Sequence, residues 1–154
     1  EVIMKVPANN QYVLFGGSFV LTNKMQWVAD RMVEGLTTKQ WFLLRSLFDL
    51  PQEPMPTITS LAKETDTSRQ NVTKMLEVLQ RQGYVILGDN PTDHRSRTVE
   101  MTENGLKILS TMAAQSQGFF ESLFAGISDE ESAIAAQVAV KMITNLSKMQ
   151  EEIQ

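Results

Sequence analysis

Residues 57–102 read TITSLAKETDTSRQNVTKMLEVLQRQGYVILGDNPTDHRSRTVEMT, and the spacing within them sets the fold class. Thr57 stands as N-cap to a short helix, its hydroxyl available to an orphan amide of the first turn, while Ile58, Leu61 and Ala62 fall at i, i+3, i+4 on one face. Thr65-Asp66-Thr67 is polar and helix-poor, and Asp66 takes the place where a turn between two such helices needs positive φ. Glycine is commoner there; aspartate can adopt it. Ser68 caps a second helix whose apolar set is Val72, Met75, Leu76 and Leu79, and whose opposite face carries Arg69, Gln70, Thr73, Lys74, Glu77 and Arg81. Gln82-Gly83 closes it with a C-terminal glycine.

Tyr84-Val85-Ile86-Leu87 is a β-branched and aromatic run fit for a strand, and Gly88-Asp89-Asn90-Pro91-Thr92-Asp93 is dense in turn residues. From Arg97 to Met101 alternation resumes, with Val99 and Met101 on one face and Thr98 and Glu100 on the other. The pattern is therefore a helix, a tight turn, a helix and a long-tipped β-hairpin, which is a winged helix-turn-helix. That architecture points to duplex DNA as the partner.

The second helix carries the chemistry, because the N-terminal half of such a helix presents short donors and acceptors to base edges in the major groove. Ser68, Arg69, Gln70, Asn71, Thr73 and Lys74 are its candidate DNA contacts; Gln70 and Asn71 suit adenine, Arg69 and Lys74 guanine or phosphate. Taken singly, these residues make an ordinary solvated helix face. The hairpin beside them gives them meaning: its tip ends in Asp93-His94-Arg95-Ser96-Arg97, where Arg95 and Arg97 are expected to project into a minor groove or straddle phosphates. His94 there reads as a phosphate contact.

Leu61-Ala62-Lys63, then Ser68 through Thr73, Gly83-Tyr84-Val85, and Asp93-x-Arg95-Ser96-x-x-Val99-x-Met101-Thr102-x-x-Gly105 together resemble the MarR family of transcriptional regulators. The resemblance covers the middle third closely and the flanks in length and placement; its specific part is the wing motif from Asp93 to Gly105. It implies that Arg95 reaches into the minor groove and that Asp93 supports the wing by pairing with arginine. Three positions depart from the family pattern: Asp66 replaces a turn glycine, Asn90 stands where aspartate is common, and His94 fills a frequently basic site.

The chain's 154 residues read as a single domain, with residues 37–102 as its DNA-binding region and residues 11–34 and 103–153 as dimerisation helices. An apolar fraction of 42% is that of an ordinary globular protein. No apolar run is long enough to span a bilayer, and EVIMKVPANN lacks a secretory layout, so the cytoplasm is the expected location. The first residue is Glu1, and Met4 is a candidate native start. Cysteine is absent, which excludes disulfides, thiolate nucleophiles and thiol-based sensing; the nine methionines read as packing residues.

Net charge is −4, and the surplus lies in the last third: residues 57–107 hold seven basic against seven acidic groups, residues 108–154 two against six. Nonspecific affinity should then be weak, since it scales with phosphates neutralised.

Outside the decisive stretch, residues 1–10 read as an irregular arm around Pro7. A helix is expected from about Gln11 to Glu34, interrupted at Gly16-Gly17, each glycine costing about 1 kcal/mol relative to alanine in a helix interior. Thr37 caps the next helix, Thr38 to Leu50, with Trp41, Leu44, Leu47 and Phe48 inward; residues 51–56 are a proline-rich connector with PPII character. Thr102 caps a long helix to about Ala125 with Leu106, Leu109, Ala113, Phe120, Leu123 and Phe124 inward. Ser128-Asp129-Glu130-Glu131 is a capping box opening a last helix with a stripe of Ile134, Val138, Met142, Leu146, Met149 and Ile153. No later element covers that stripe, so a homodimer through the first helix, the post-wing helix and the last helix is expected, as the resemblance also implies. Two-fold symmetry predicts a pseudo-palindromic operator with half-sites roughly 10 bp apart.

One imidazole and no thiol make neither a metal site nor a triad, and no cofactor or enzymatic activity is expected. The resemblance adds a small aromatic or anionic effector, with Phe19, Trp41 and Phe42 as apolar candidates near the crevice between dimer helices and reading unit. The leading expectation is a ligand-responsive repressor. Acidity and a neutral reading region leave an adaptor that binds proteins through its winged helix as the alternative, and retention on heparin or random duplex would separate the two.

Overall fold

The computed structural model describes residues 9–153, so the expectations for residues 1–8 lie outside the described residues. The elements run α1 (Asn10–Met32), α2 (Thr38–Asp49), α3 (Ile58–Glu64), α4 (Arg69–Arg81), β1 (Val85–Gly88), β2 (Thr98–Met101), α5 (Glu103–Gln115), α6 (Gln117–Leu123) and α7 (Asp129–Ile153). This is a mainly α fold with one two-stranded antiparallel hairpin, a winged helix-turn-helix between flanking helices. The chain forms two compact units, a first ending at Gln117 and a second from Gly118 onward.

Local chemistry places most helix starts. Thr37 and Thr57 each accept the amide three residues on, and Gln40 and Ser60 return the bond to the cap's own N–H. Ser68 accepts from Asn71 N and Thr102 from Gly105 N, while Ser128 and Glu131 exchange amide bonds at the head of α7. Each such cap satisfies a donor that the helix itself cannot. Asp66 has φ 46° and Gly83 φ 80°, the two turns bounding α3–α4 and α4–β1.

The core of the first unit joins three helices to the hairpin. Leu43, Leu44 and Leu47 from α2, Leu61 from α3, Val72, Leu76 and Leu79 from α4, Val85 from β1 and Val99 from β2 are all fully buried. In the hairpin Val85 pairs with Met101 and Leu87 with Val99, which puts Val85, Leu87 and Val99 on the face against the helices. The segment before α3 joins the same sheet: Thr57 bridges Thr98, Ile58 N–H donates to Arg97 O at 3.0 Å and Val99 N–H to Pro56 O at 2.8 Å. The proline connector thus bends and ends as a third, one-residue strand, instead of continuing as PPII; Gln52 turns back to donate to the Leu47 and Leu50 carbonyls at the end of α2.

Several facing and boundary expectations are corrected. α1 begins at Asn10, capped by Asn9, and runs through Gly16-Gly17 without a break; Phe15 and Phe19, one turn apart across the pair, stack edge to face at 5.4 Å. A Cβ at either glycine would meet nothing within 4 Å, so no close approach within the described chain explains them. Phe48 is half exposed, against Arg45 at 5.2 Å, because Leu43 takes the inward position. The post-wing helix divides at Ser116, whose hydroxyl donates to Ala113 O at 3.0 Å and so competes for carbonyls of the helical ladder. In α5 the buried residues are Gly105 and Met112; Leu106 and Ala113, expected inward, are exposed.

In the second unit, Phe120 and Phe124 on and after α6 stack on each other at 6.4 Å yet stay exposed. No residue of α7 is buried, and Ile134, Val140, Ile143, Leu146, Met149 and Ile153 all stand open. No described helix is long and apolar enough to cross a membrane.

Candidate nucleic-acid interface

The site begins with the α3–α4 turn. Thr67 N–H donates to Ala62 O at 3.0 Å and Asp66 N–H to Lys63 O at 3.3 Å, a closure that needs the positive φ at Asp66 and sends α4 out across α3. With Val72, Leu76 and Leu79 driven into the core, the opposite face must point outward. Ser68, Arg69, Gln70, Asn71 and Lys74 are accordingly exposed and Thr73 half-buried. Both hydroxyls in this set are already committed: that of Ser68 accepts Asn71 N–H at 3.2 Å, and that of Thr73 donates to Arg69 O at 2.7 Å.

The wing tip is held by short bonds from its own backbone. Asp93 Oδ1 accepts Arg95 N–H at 2.9 Å and Asp93 O accepts Ser96 N–H at 3.1 Å. Asn90 makes a similar turn by accepting from both the amide and the hydroxyl of Thr92. The Asp93 carboxylate therefore supports the wing through a backbone amide here, and the expected guanidinium partner is absent from its bonds among the described residues. Ser96 is the buried anchor: its Oγ lies 2.9 Å from Thr59 Oγ1 and accepts Thr59 N–H at 3.4 Å, tying the wing to α3.

The basic groups of the tip separate into two kinds. His94 and Arg95 are exposed, and the Arg95 guanidinium has no intramolecular bond among the described residues. Arg97 is exposed as well, but its Nη2 turns back to Leu87 O at 3.4 Å. Arg69 reaches from the start of α4 to donate Nη2–H to Arg95 O at 2.8 Å, and Gln80 Oε1 accepts Leu87 N–H at 2.9 Å. Ser96, Thr59 and Gln80 had no assigned role in the sequence reading. Of the three, Ser96 is the one that stands in the wing motif, between two arginines.

Beyond the hairpin, Thr102 Oγ1 donates to Gly83 O at 2.6 Å while accepting Gly105 N–H at 3.1 Å. Gly105 packs so tightly there that a Cβ would collide with Tyr84 O and lie 2.8 Å from Met101 Cγ. That is the physical content of Thr102-x-x-Gly105: it locks α5 to the base of the wing. The effector candidates are not gathered. Phe19 and Phe42 are well exposed, Trp41 is half-buried, and no ring contact joins them among the described residues.

Residues 34–96, from the end of α1 to the wing tip, match the model of the MarR family. The chain is 26% identical over 139 residues to the transcriptional activatory protein BadR of Rhodopseudomonas palustris, with 88% of this chain and 79% of BadR covered. PcaV of Streptomyces coelicolor, solved in complex with its natural ligand, matches the fold with a TM-score of 0.74 at 16% identity, covering 90% of this chain and 97% of PcaV. A mutant MarR from E. coli complexed with operator DNA matches with a TM-score of 0.72 at 21% identity, over 88% of this chain and 98% of that one. These similar proteins are transcriptional regulators. Among the described residues, no group of three His, Cys, Asp or Glu side chains is placed to hold a metal ion.

Proposed function

We propose that this protein is a homodimeric, ligand-responsive repressor that binds a pseudo-palindromic operator, inserting α4 into the major groove and Arg95 into the adjacent minor groove. The observation that carries the reading is the pairing of an exposed polar row, Gln70 to Lys74, with an unengaged Arg95 guanidinium on a hairpin bonded to the same helix. Ser68, Asn71, Thr73, His94 and Arg97 complete the contact set, and Asp93 shapes the wing. Support for the dimer comes from apolar surface that each unit leaves uncovered: Tyr12, Phe15, Phe19 and Trp27 on α1 are all more than 60% exposed, and α7 presents the row already described. Patches of that size mark an association surface. A second copy covering α1 would also account for the open Gly16-Gly17. The effector part of the reading leans on the resemblance and on a similar protein crystallised with its natural ligand; a ligand that prefers one spacing of the two α4 helices would shift DNA affinity by that preference.

Selection of duplexes from a random pool by the purified full chain tests the core of the reading. The expected result is a pseudo-palindrome with half-sites about one helical turn apart. Arg95→Ala and Lys74→Ala should each weaken binding by about 10-fold and lower the salt dependence of binding by about one ion. Failure to retain any duplex or heparin at low salt would instead mark the winged helix as a protein-binding adaptor.

A further inference from the structure

On α4 the residues at i, i+4 and i+11 from Arg69 share one flank, which is Arg69, Thr73 and Gln80. All three use their polar atoms inside the protein: Arg69 donates to Arg95 O on the wing, Thr73 to Arg69 O, and Gln80 accepts Leu87 N–H on β1. The row from Gln70, at the same spacing, is Gln70, Lys74 and Arg81. Its side chains are exposed and carry no intramolecular bond among the described residues. One flank of the helix is thus turned to the hairpin and the next is left for a ligand.

Resting on the DNA-binding reading above, we infer that Arg69 is a positioning residue, a strut between reading helix and wing, and that operator sequence is read by Gln70 and Lys74. The acceptor of the strut is the carbonyl of Arg95 itself, the residue assigned to the minor groove. Because the bond spans 26 positions of sequence and joins the first turn of α4 to the tip of a nine-residue loop (residues 89–97), it sets the distance between the two reading elements. Ser96 anchors the loop from the α3 side and Gln80 holds its base, so Arg69 supplies the remaining tie at the α4 side. A charged donor on a backbone acceptor is among the stronger hydrogen bonds, and a guanidinium so engaged has fewer free N–H groups for the bidentate reading of guanine.

The test compares wild type, Arg69→Met, Arg69→Lys and Gln70→Ala as full chains, by duplex selection, salt titration on the selected duplex, and amide relaxation of residues 89–97. A strut predicts that Arg69→Met weakens binding about 3- to 10-fold, the range for one lost hydrogen bond, with the salt dependence of binding unchanged. It also predicts faster motion at residues 93–96, discrimination lost at the minor-groove position and not at a major-groove base, and an effect that largely disappears when Arg95→Ala is already present. Arg69→Lys should recover part of the wing order, and Gln70→Ala should relax one major-groove base while leaving the wing unchanged. Loss of preference at one guanine, or a salt dependence lowered by about one ion with the wing still ordered, would make Arg69 a direct reader and overturn the inference. Should wild type select no duplex, the DNA-binding reading falls and the strut falls with it, a result distinct from failure at Arg69 alone.

Discussion

Gly105→Ala places a methyl group where the structure has no room for one. The new Cβ would collide with the backbone carbonyl of Tyr84 and lie 2.8 Å from Met101 Cγ. Met101 can rotate away, whereas the carbonyl cannot, because it already accepts Thr102 N–H at 3.1 Å. Relief therefore requires the first turn of α5 to shift, stretching the Thr102 bonds to Gly83 O and from Gly105 N–H. Overpacking of a tight contact costs about 1–3 kcal/mol, and two weakened hydrogen bonds add roughly 1 kcal/mol each. Against this, alanine gains about 1 kcal/mol over glycine as a helix former. The net is a loss of about 2–4 kcal/mol, a large share of the 5–15 kcal/mol typical of a folded domain. Urea unfolding at fixed protomer concentration should show it as a midpoint lowered by about 1–2 M, given the usual slopes for small proteins. Gly118→Ala is the control: a Cβ there meets nothing within 4 Å, and the midpoint should hold or rise. If Gly105→Ala unfolded with the wild-type midpoint, α5 would not be docked on the wing base as described, and the reasoning would be wrong.

Two further outcomes follow from the wing and from α7. Asp93→Asn keeps an oxygen able to accept Arg95 N–H, so it should bind the selected operator within about 2-fold of wild type, while Asp93→Ala, which loses one hydrogen bond, falls by about 3- to 10-fold; equal losses in a side-by-side titration would return the role to the carboxylate's charge. Bonds from Ser128, first to its backbone N–H and then with its hydroxyl, hold the Glu131 carboxyl below the ordinary glutamate range. A depressed folded pKa means that the capping contribution is complete above the unfolded value of about 4.3 and disappears as pH falls through the lower folded value. A carbon-detected titration should find the Glu131 midpoint below that of glutamate in the unfolded chain, and a midpoint at or above it would show the cap to be open in solution.

The elements that could be placed from sequence are those whose causes lie within a few residues. Thr37, Thr57, Ser68, Thr102 and Ser128 all cap helices as read, and Asp66 adopts the positive φ that its turn demanded. The hairpin alternation likewise put Val99 in the core. What escaped depends on partners far along the chain or on competition within one turn. The Thr57–Thr98 bridge joins a proline-rich connector to a strand 41 positions later, and nothing in Pro54-Met55-Pro56 announces a sheet edge. Ser116 breaks a helix by a bond to Ala113 that a serine in many other helices makes without breaking anything. The apolar stripes of α5 and α6 misled for a different reason: Leu106 and Phe120 are spaced like core residues, and spacing alone does not say whether the covering surface belongs to the same chain.

The candidate site divides along the same line, and the division explains why side-chain type outran side-chain role. Every residue on the exposed face of α4 could be named from the helical period. Yet Arg69, Thr73 and Arg97 spend donors on the carbonyls of Arg95, Arg69 and Leu87, and a backbone carbonyl has no letter in the sequence. The motif around Asp93 shows the consequence. A carboxylate two residues before an arginine invites an ion pair, but the same spacing lets it accept the arginine's own amide, and the shorter, entropically cheaper closure is the one formed. Arg95 is left with its guanidinium unspent because its backbone, on both the amide and carbonyl sides, is where the wing is tied down. A long cation on a fixed root loses less freedom when it meets a phosphate or a groove floor than one on a loose loop. On the proposed reading, the tethering of the backbone at Arg95, more than the presence of arginine there, is what would fit this wing to read DNA.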